Sequence, residues 1–111
     1  MDISEELAGT VCIVTAKGRL DGSASPMFVD RLEKLTSRHS KFLMDFSGVD
    51  FVTSAGLRAV LTTVKKVKSL NGAIAMCGVQ PPVREILDIT GLSPMIRIFG
   101  TRSEGLAALP Q

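Results

Sequence analysis

The sequence predicts an α/β fold: one domain with a mixed, largely parallel β-sheet and about four helices. Apolar runs rich in β-branched residues at 11–15, 42–46 and 73–79 lack the alternation of half-exposed strands, which indicates strands buried on both faces. An amphipathic stripe between the second and third runs indicates a helix. Strands that alternate with helices need crossover connections, and such connections place neighbouring strands parallel.

The first half of the chain predicts two strands and one helix. Residues 3–7 are expected to form a short edge strand before the buried strand at 11–15. The turn-forming residues at 18–22, GRLDG, are expected to end that second strand. Ser25-Pro26 then begins a helix, with the Ser25 side chain as its cap, that runs to about Arg38. Its apolar face consists of Phe28, Leu32 and Leu35.

The second half continues the alternation. The helix after strand 42–46 has an apolar stripe formed by Leu57, Val60, Leu61, Val64 and Val67. Asn71-Gly72 is expected to end this helix, because both residues tolerate the left-handed conformation of a C-terminal cap. Strand 73–79 leads into a helix that starts at Pro81-Pro82 and stops at Gly91. A short strand at 96–99 and a helix started by the capping box of residues 101–104 complete one predicted domain over residues 1–111.

The composition is that of an ordinary globular chain and disfavours several classes of protein. Of the 111 residues, 45% are hydrophobic and 22% are charged. The net charge of +2 is too small to predict nucleic-acid binding. No apolar run approaches the roughly 20 residues that span a bilayer, and the opening MDISEELAG is acidic and polar, unlike a signal peptide. We therefore expect a cytoplasmic protein with no nucleic-acid partner and no membrane insertion.

The sequence predicts no catalysis, metal site or cofactor. Ser54 lies between a predicted strand and a predicted helix, like the serine of a nucleophile elbow, but Val52 occupies the position where that motif needs glycine. The only histidine, His39, precedes the serine and lies in a polar junction. Cys12 and Cys77 each lie in an apolar run, without the spacing of a zinc or redox motif, and are expected to be small buried residues.

Two readings of Ser54 follow from its position. A serine at a helix N-terminus caps a backbone N–H group and adds about 1 kcal/mol of stability over alanine. Thr53 is equally able to do this, so one of the two hydroxyl groups is spare. The second reading is phosphorylation, because free N–H donors and the helix dipole stabilise a phosphate at that end of a helix. The residues alone leave both readings open.

Three segments of the chain resemble one known family. "MDFSGVDFVTSAGLRAVL", residues 44–61, resembles the signature of STAS domains, specifically the bacterial anti-sigma factor antagonists of the stage-II-sporulation type. Its pattern is a strand, a turn similar to D-[ST]-[SA]-G-[LI], and a helix. "GRLDGSAS", residues 18–25, looks like the G-x-L-D loop of that family, and residues 72–92 look like its later strand and the helix that ends T-G-L. The resemblance covers nearly the whole chain.

The resemblance implies a non-enzymatic protein that switches between partners. Ser54 matches the phosphoacceptor serine of the family, and Asp21 matches an aspartate in the adjacent loop. The unmodified form is expected to bind an anti-sigma factor that is also a serine kinase with a histidine-kinase-like ATPase fold, and so to free the sigma factor. Phosphorylation ends the association and a serine phosphatase restores it. The expected partner-binding residues are Asp21, Thr53, Ser54, Ala55, Gly56 and Arg58.

Thr53 departs from the family pattern, in which aspartate often precedes the serine. The departure removes a negative charge from the turn and adds a second potential phosphoacceptor. A further reading therefore stays open, because some STAS domains are unphosphorylated subunits of larger assemblies such as lipid transporters. Two residues also keep plain alternatives: Arg58 as an exposed arginine, and Asp21 as a turn aspartate that accepts backbone N–H groups.

Overall fold

The five strands form a single sheet in chain order. A computed structural model describes residues 1–110. The strands are β1 (Asp2–Ala8), β2 (Val11–Leu20), β3 (Lys41–Val52), β4 (Ala73–Cys77) and β5 (Arg97–Phe99). β1 is antiparallel to β2, and every other neighbouring pair is parallel. The predicted mixed, largely parallel sheet is confirmed, with the three apolar runs in its three interior strands.

β2 and β3 extend beyond the predicted bounds. The turn expected at residues 18–22 starts later, because β2 continues to Leu20 and pairs there with Val52. Gly18 permits this extension: its φ of 110° is one that other residues rarely adopt, and the register with β3 shifts between Gly18 and Arg19. β4, in contrast, ends two residues before the predicted boundary, at Cys77, where Gly78 has a φ of 68°.

Four helices connect or follow the strands. They are α1 (Ser25–Leu35), α2 (Ser54–Ser69), α3 (Pro81–Ile89) and α4 (Arg102–Ala108), and a short 3₁₀ turn precedes β5. The predicted ends of α2 and α3 are confirmed, since Asn71 and Gly91 both have positive φ. The predicted cap of α1 is wrong by one residue. Ala24 is the N-cap, and the Ser25 hydroxyl instead donates to the carbonyl oxygen of Asp21 at 2.6 Å.

The helices cover the two faces of the sheet unevenly. The larger apolar core lies beneath α1, α2 and α3 and includes Phe28, Val60 and Leu87. The opposite face carries a smaller cluster that Leu106 and Leu109 cover at the C-terminal end of the chain. Both cysteines are buried and free, and burial raises the pKa of the Cys77 thiol to about 11. Within residues 1–110, no helix is both long and apolar enough to cross a membrane.

Arg102 fastens α4 to three strands. Its guanidinium donates to the Asp45 carboxylate, to Glu6 and to the Thr15 hydroxyl, each at 2.7 Å. Burial raises the pKa of Asp45, but the hydrogen bonds from Arg102 and from the Ser47 backbone outweigh burial and hold that pKa below its ordinary value. No pattern in the sequence predicts this cluster as a whole. Its signal in the sequence is Asp45, a charged residue inside the apolar run 42–46.

Candidate functional site

The predicted site residues lie at the edge of the sheet where β2 and β3 end. Carboxyl ends of parallel neighbouring strands meet at the same edge, so the loop after β2 and the turn after β3 lie side by side. The Thr53 amide donates to the Leu20 carbonyl oxygen at 3.1 Å. Two residues further along each segment, a methyl group built on Gly22 would lie 4.0 Å from the Ala55 Cβ atom. The fold thus brings together two segments that are more than 30 residues apart in sequence.

Thr53, rather than Ser54, caps α2. Thr53 has an extended backbone, and its hydroxyl oxygen accepts a hydrogen bond from the Gly56 amide at 3.3 Å. Ser54 is the first helical residue, its side chain is exposed, and its hydroxyl has no hydrogen-bond partner within residues 1–110. The capping reading of Ser54 is therefore wrong. The spare hydroxyl of the pair belongs to Ser54.

Gly56 fixes how closely α2 approaches the loop after β2. A Cβ atom at this position would lie 2.1 Å from the Leu20 carbonyl oxygen, so no larger residue fits without moving one of the two segments. Gly56 is buried and Ala55 is half-buried. The absence of side-chain bulk at Gly56 thus serves packing inside the domain, whereas Ser54 and Arg58 form the exposed part of the turn.

Asp21 organises the loop that leads into α1. Its Oδ1 atom accepts hydrogen bonds from the Ser23 amide at 3.1 Å, the Ser23 hydroxyl at 2.8 Å and the Ala24 amide at 3.0 Å. The Ser23 hydroxyl and the Ala24 amide lower the pKa of Asp21, so the group is a carboxylate at neutral pH. The hydrogen bonds of Asp21 are those expected of a turn aspartate. These bonds fix the shape of the loop that lies beside the Thr53–Gly56 turn.

Two arginines lie on the segments that meet at the Ser54 turn: Arg58 on α2 and Arg19 on β2. Arg58 lies one helical turn beyond Ser54, is exposed, and forms no ion pair within residues 1–110. Arg19, at the end of β2, lies with its guanidinium carbon 4.6 Å from the centre of the Phe51 ring. Phe51 is 43% exposed although it is aromatic, and the sequence analysis missed it. Its signal was an apolar residue directly before the turn and next to the inward-facing Val52.

Among residues 1–110, no side chain is hydrogen-bonded to the Ser54 hydroxyl as a general base would be. His39 lies before β3, at the other end of that strand, and its ring packs edge-to-face on Phe42. No group of three or more His, Cys, Asp or Glu side chains able to hold a metal ion occurs in the described part of the chain. What the site offers is an exposed hydroxyl at a helix N-terminus with an arginine one turn away, an arrangement that accommodates a covalently attached phosphate.

Comparison with known proteins identifies the family. The STAS domain family matches residues 3–105, so this chain belongs to that family. An anti-sigma F factor antagonist of Paenibacillus polymyxa is 29% identical over 101 residues, which are 89% of this chain and 86% of that protein. BtrV of Bordetella bronchiseptica, a provisionally assigned anti-sigma factor antagonist, is 31% identical over 68 residues. That alignment covers 61% of this chain and only 59% of BtrV.

Solved structures share the fold. An anti-sigma factor antagonist from Mycobacterium paratuberculosis superposes with a TM-score of 0.88 at 22% identity, covering 97% of this chain and 92% of that one. The phosphorylated form of the Bacillus cell fate determinant SpoIIAA superposes with a TM-score of 0.74 at 17% identity, covering 96% of this chain and 97% of that one. At these identities the likeness establishes the architecture alone.

Proposed function

We propose that this protein is an anti-sigma factor antagonist that phosphorylation of Ser54 switches off. The relatives from Paenibacillus and Bordetella support the first part of the proposal through their descriptions. One observation carries the second part: Ser54 is exposed and unbonded because Thr53 caps the helix in its place. A kinase thus reaches the Ser54 hydroxyl without disturbing any contact of the domain.

The unmodified protein binds an anti-sigma factor that is also a serine kinase with a histidine-kinase-like ATPase fold, and this binding frees the sigma factor in the cytoplasm. A serine phosphatase restores the binding-competent form. The partner contacts the exposed surface around Ser54 and Arg58, with Thr53 and Ala55 at its edge and the Asp21 loop beside it. Gly56 is buried and acts by positioning this turn. In this proposal the protein has no catalytic turnover of its own.

A phosphate at Ser54 suits the domain and conflicts with the partner. It adds a charge of about −1.5 to −2 at neutral pH, next to the first-turn N–H groups of α2. Arg58, one helical turn away and without an ion pair among residues 1–110, supplies a counter-charge. A partner packed over the same turn meets a charge that it does not neutralise, and an unpaired charge at an interface costs several kcal/mol.

The first experiment measures the intact mass of the protein after incubation with ATP and each histidine-kinase-like ATPase of the source organism. We expect the mass to increase by one phosphate with the cognate kinase. Ser54→Ala should abolish this increase, and Thr53→Ala should leave it in place. A mass that stays unchanged with every kinase would contradict the switch and favour the unphosphorylated assembly subunit. A mass increase that persists in Ser54→Ala would assign the acceptor elsewhere.

The second experiment compares partner binding of two Ser54 variants by calorimetry, with melting curves as the folding control. Ser54→Ala removes no hydrogen bond, so it should bind as tightly as the wild type. Ser54→Asp should fold, because a carboxylate suits a helix N-terminus, yet bind more than about 100-fold more weakly because its charge is unpaired in the interface. Equal binding of the aspartate variant and the wild type would overturn the proposed charge effect.

A further inference from the structure

A groove runs between α1 and α2, away from the Ser54 turn. Near that turn it has a volume of about 470 Å³ and lies between Pro26 on α1 and Arg58 on α2. Toward the far ends of the helices it continues as a smaller cavity of about 90 Å³, which Thr36 and Lys66 border. Val29 and other residues line both parts, so the two cavities form one continuous groove along neighbouring helices.

The floor of the groove is apolar. Leu32 and Ala59 are buried there, and the half-buried Val29 joins them. Thr63 also lies in the floor, but its hydroxyl donates to the Ala59 carbonyl oxygen at 3.0 Å and is thereby satisfied. A docked side chain on this floor thus meets apolar surface rather than an unsatisfied polar group.

The two walls of the groove carry opposite charges. The α1 wall presents Asp30 and Glu33, and the α2 wall presents Arg58 and Lys66. Within residues 1–110, Glu33, Arg58 and Lys66 form no ion pair, and Asp30 pairs only with Lys34 of its own helix, at an exposed site. The charges therefore do not neutralise one another across the groove. They remain available to a ligand whose own edges carry the complementary signs.

We infer that this groove binds an amphipathic helix of the protein partner, and this inference rests on the proposed function. The groove extends from Ala55 to Lys66, about 17 Å or three helical turns at the helical rise per residue. The docked helix places apolar side chains on the floor, basic side chains along α1 and acidic side chains along α2. A helix of this pattern is the ligand that a charged-rim, apolar-floor groove selects.

This placement links the groove to Ser54. Ala55 and Arg58, which line the groove, flank Ser54 in the first turn of α2. A phosphate on Ser54 draws Arg58 toward itself and adds negative charge at the end of the basic wall, where the acidic edge of the docked helix lies. The phosphate thus weakens binding of the partner helix along the groove as well as contacts at the Ser54 turn.

The test uses a hydrocarbon-stapled helical peptide of about 14 residues, because isolated short helices are marginally stable in water. The peptide has a leucine face with lysines along one edge and glutamates along the other, and its control exchanges the two charged edges. Binding is followed by amide chemical shifts of the ¹⁵N-labelled protein. We expect saturable shifts confined to residues of the groove, and affinity about tenfold weaker for the exchanged peptide.

Charge reversals in the protein supply the matched controls. Glu33→Lys and Lys66→Glu should each weaken binding of the first peptide about tenfold, whereas Lys65→Glu, an exposed position of α2 that does not line the groove, should change it less than twofold. Shifts outside the groove, equal affinity for both peptides, indifference to the reversals, or occupation of the groove by a second copy of the chain would each overturn the inference.

The peptide assay contains no kinase, so its outcome is independent of whether Ser54 is phosphorylated. The kinase found by intact mass then enters the same comparison. Glu33→Lys should weaken its complex with the protein about tenfold while melting curves stay unchanged. If Ser54 is phosphorylated and both Glu33→Lys and Lys66→Glu bind the kinase fully, the inferred helix-binding role of the groove is wrong and the proposed function stands. If the groove binds the peptide specifically but no kinase phosphorylates Ser54, the groove's helix-binding role stands and the proposed phosphorylation switch is wrong.

Discussion

Thr53 and Ser54 are adjacent residues that both carry a hydroxyl group, but they have different roles because their hydroxyl groups have different contacts. The Thr53 hydroxyl accepts from the Gly56 amide at 3.3 Å and lies 3.5 Å from the Leu20 carbonyl oxygen, whereas the Ser54 hydroxyl is exposed. The sequence limited the choice to these two residues but did not decide between them. The decision depends on the backbone: Thr53 has a ψ of 176°, which places its side chain over the first turn of α2.

This separation predicts different effects on stability. Thr53→Ala should lower the free energy of unfolding by about 1 kcal/mol, because it removes the helix cap. Ser54→Ala should change it by less than about 0.5 kcal/mol, because it removes an exposed and unbonded group. Urea unfolding of both variants measures the difference, with Thr53→Ser as the variant that retains a capping hydroxyl. A larger loss for Ser54→Ala than for Thr53→Ala would contradict the assignment of the cap.

Gly56 and Gly22 lie on the two sides of the same contact and differ in the space around them. Gly56→Ala should destabilise the domain by about 1–3 kcal/mol, because the new methyl group would overlap the Leu20 carbonyl oxygen. Gly22→Ala should have little effect, since its methyl group would be in ordinary contact with Ala55. Thermal unfolding of the two variants checks this prediction. Equal stability would mean that α2 and the loop separate without cost.

Among the secondary-structure elements, α4 is too short to be stable alone, and the contacts of Arg102 stabilise it on the sheet. It has only seven residues, and a helix this short is not stable in isolation. Half of the predicted capping box is confirmed, since the Thr101 hydroxyl oxygen accepts from the Glu104 amide at 3.2 Å. The Glu104 carboxylate accepts from the Thr101 hydroxyl at 3.1 Å rather than from the Thr101 amide. Arg102 adds the tertiary anchor on Asp45, and Gly105 allows the helix to lie directly on Leu43.

The anchor predicts an acid-sensitive contribution to stability. The pKa of Asp45 is below its ordinary value in the folded protein, so its contribution is present above the unfolded value of about 4 and is lost as pH falls toward the folded pKa. Asp45→Asn should lower the free energy of unfolding at pH 7 by about 2 kcal/mol. Below about pH 4, the difference from the wild type should shrink.

Urea unfolding at neutral and acidic pH tests this effect. Asp50→Asn is the matched control, because Asp50 is an exposed aspartate on the same strand without an ion pair among residues 1–110. It should match the wild type at both pH values. A difference between Asp45→Asn and the wild type that stays constant through the acidic range would show that the Asp45 charge is not what holds α4.

For the whole molecule, local hydrophobic patterns in the sequence predict most of the secondary-structure elements. The interior strands and the four helices follow from apolar runs and stripes that are readable in the sequence. The bounds of β2 and β3 do not, because Gly18 and Gly48 indicate a turn in isolation but take part in a paired ladder here. Pairing between strands that are distant in sequence overrides local propensity in this case.

Side-chain contacts likewise differ in how far the sequence predicts them. Ser54 and the proximity of the Asp21 loop are within reach of motif reasoning, because the family resemblance places that loop beside the serine. The Arg102 cluster is not, since it joins β1, β2, β3 and α4 through residues up to 96 positions apart. No local pattern contains the partner of such a residue. The α1–α2 groove likewise arises only when the two helices are packed side by side.

Because α4 covers the second face of the sheet, that apolar face stays exposed during synthesis until α4 has emerged from the ribosome. A nascent chain whose residues after 100 are still inside the ribosome already contains all five strands and the three helices of the other face. Val11, Ile13 and Leu43 then have no cover, and exposed apolar surface in an incomplete domain promotes aggregation. Emergence of α4 from the ribosome therefore ends the interval in which this apolar face of the growing polypeptide is exposed.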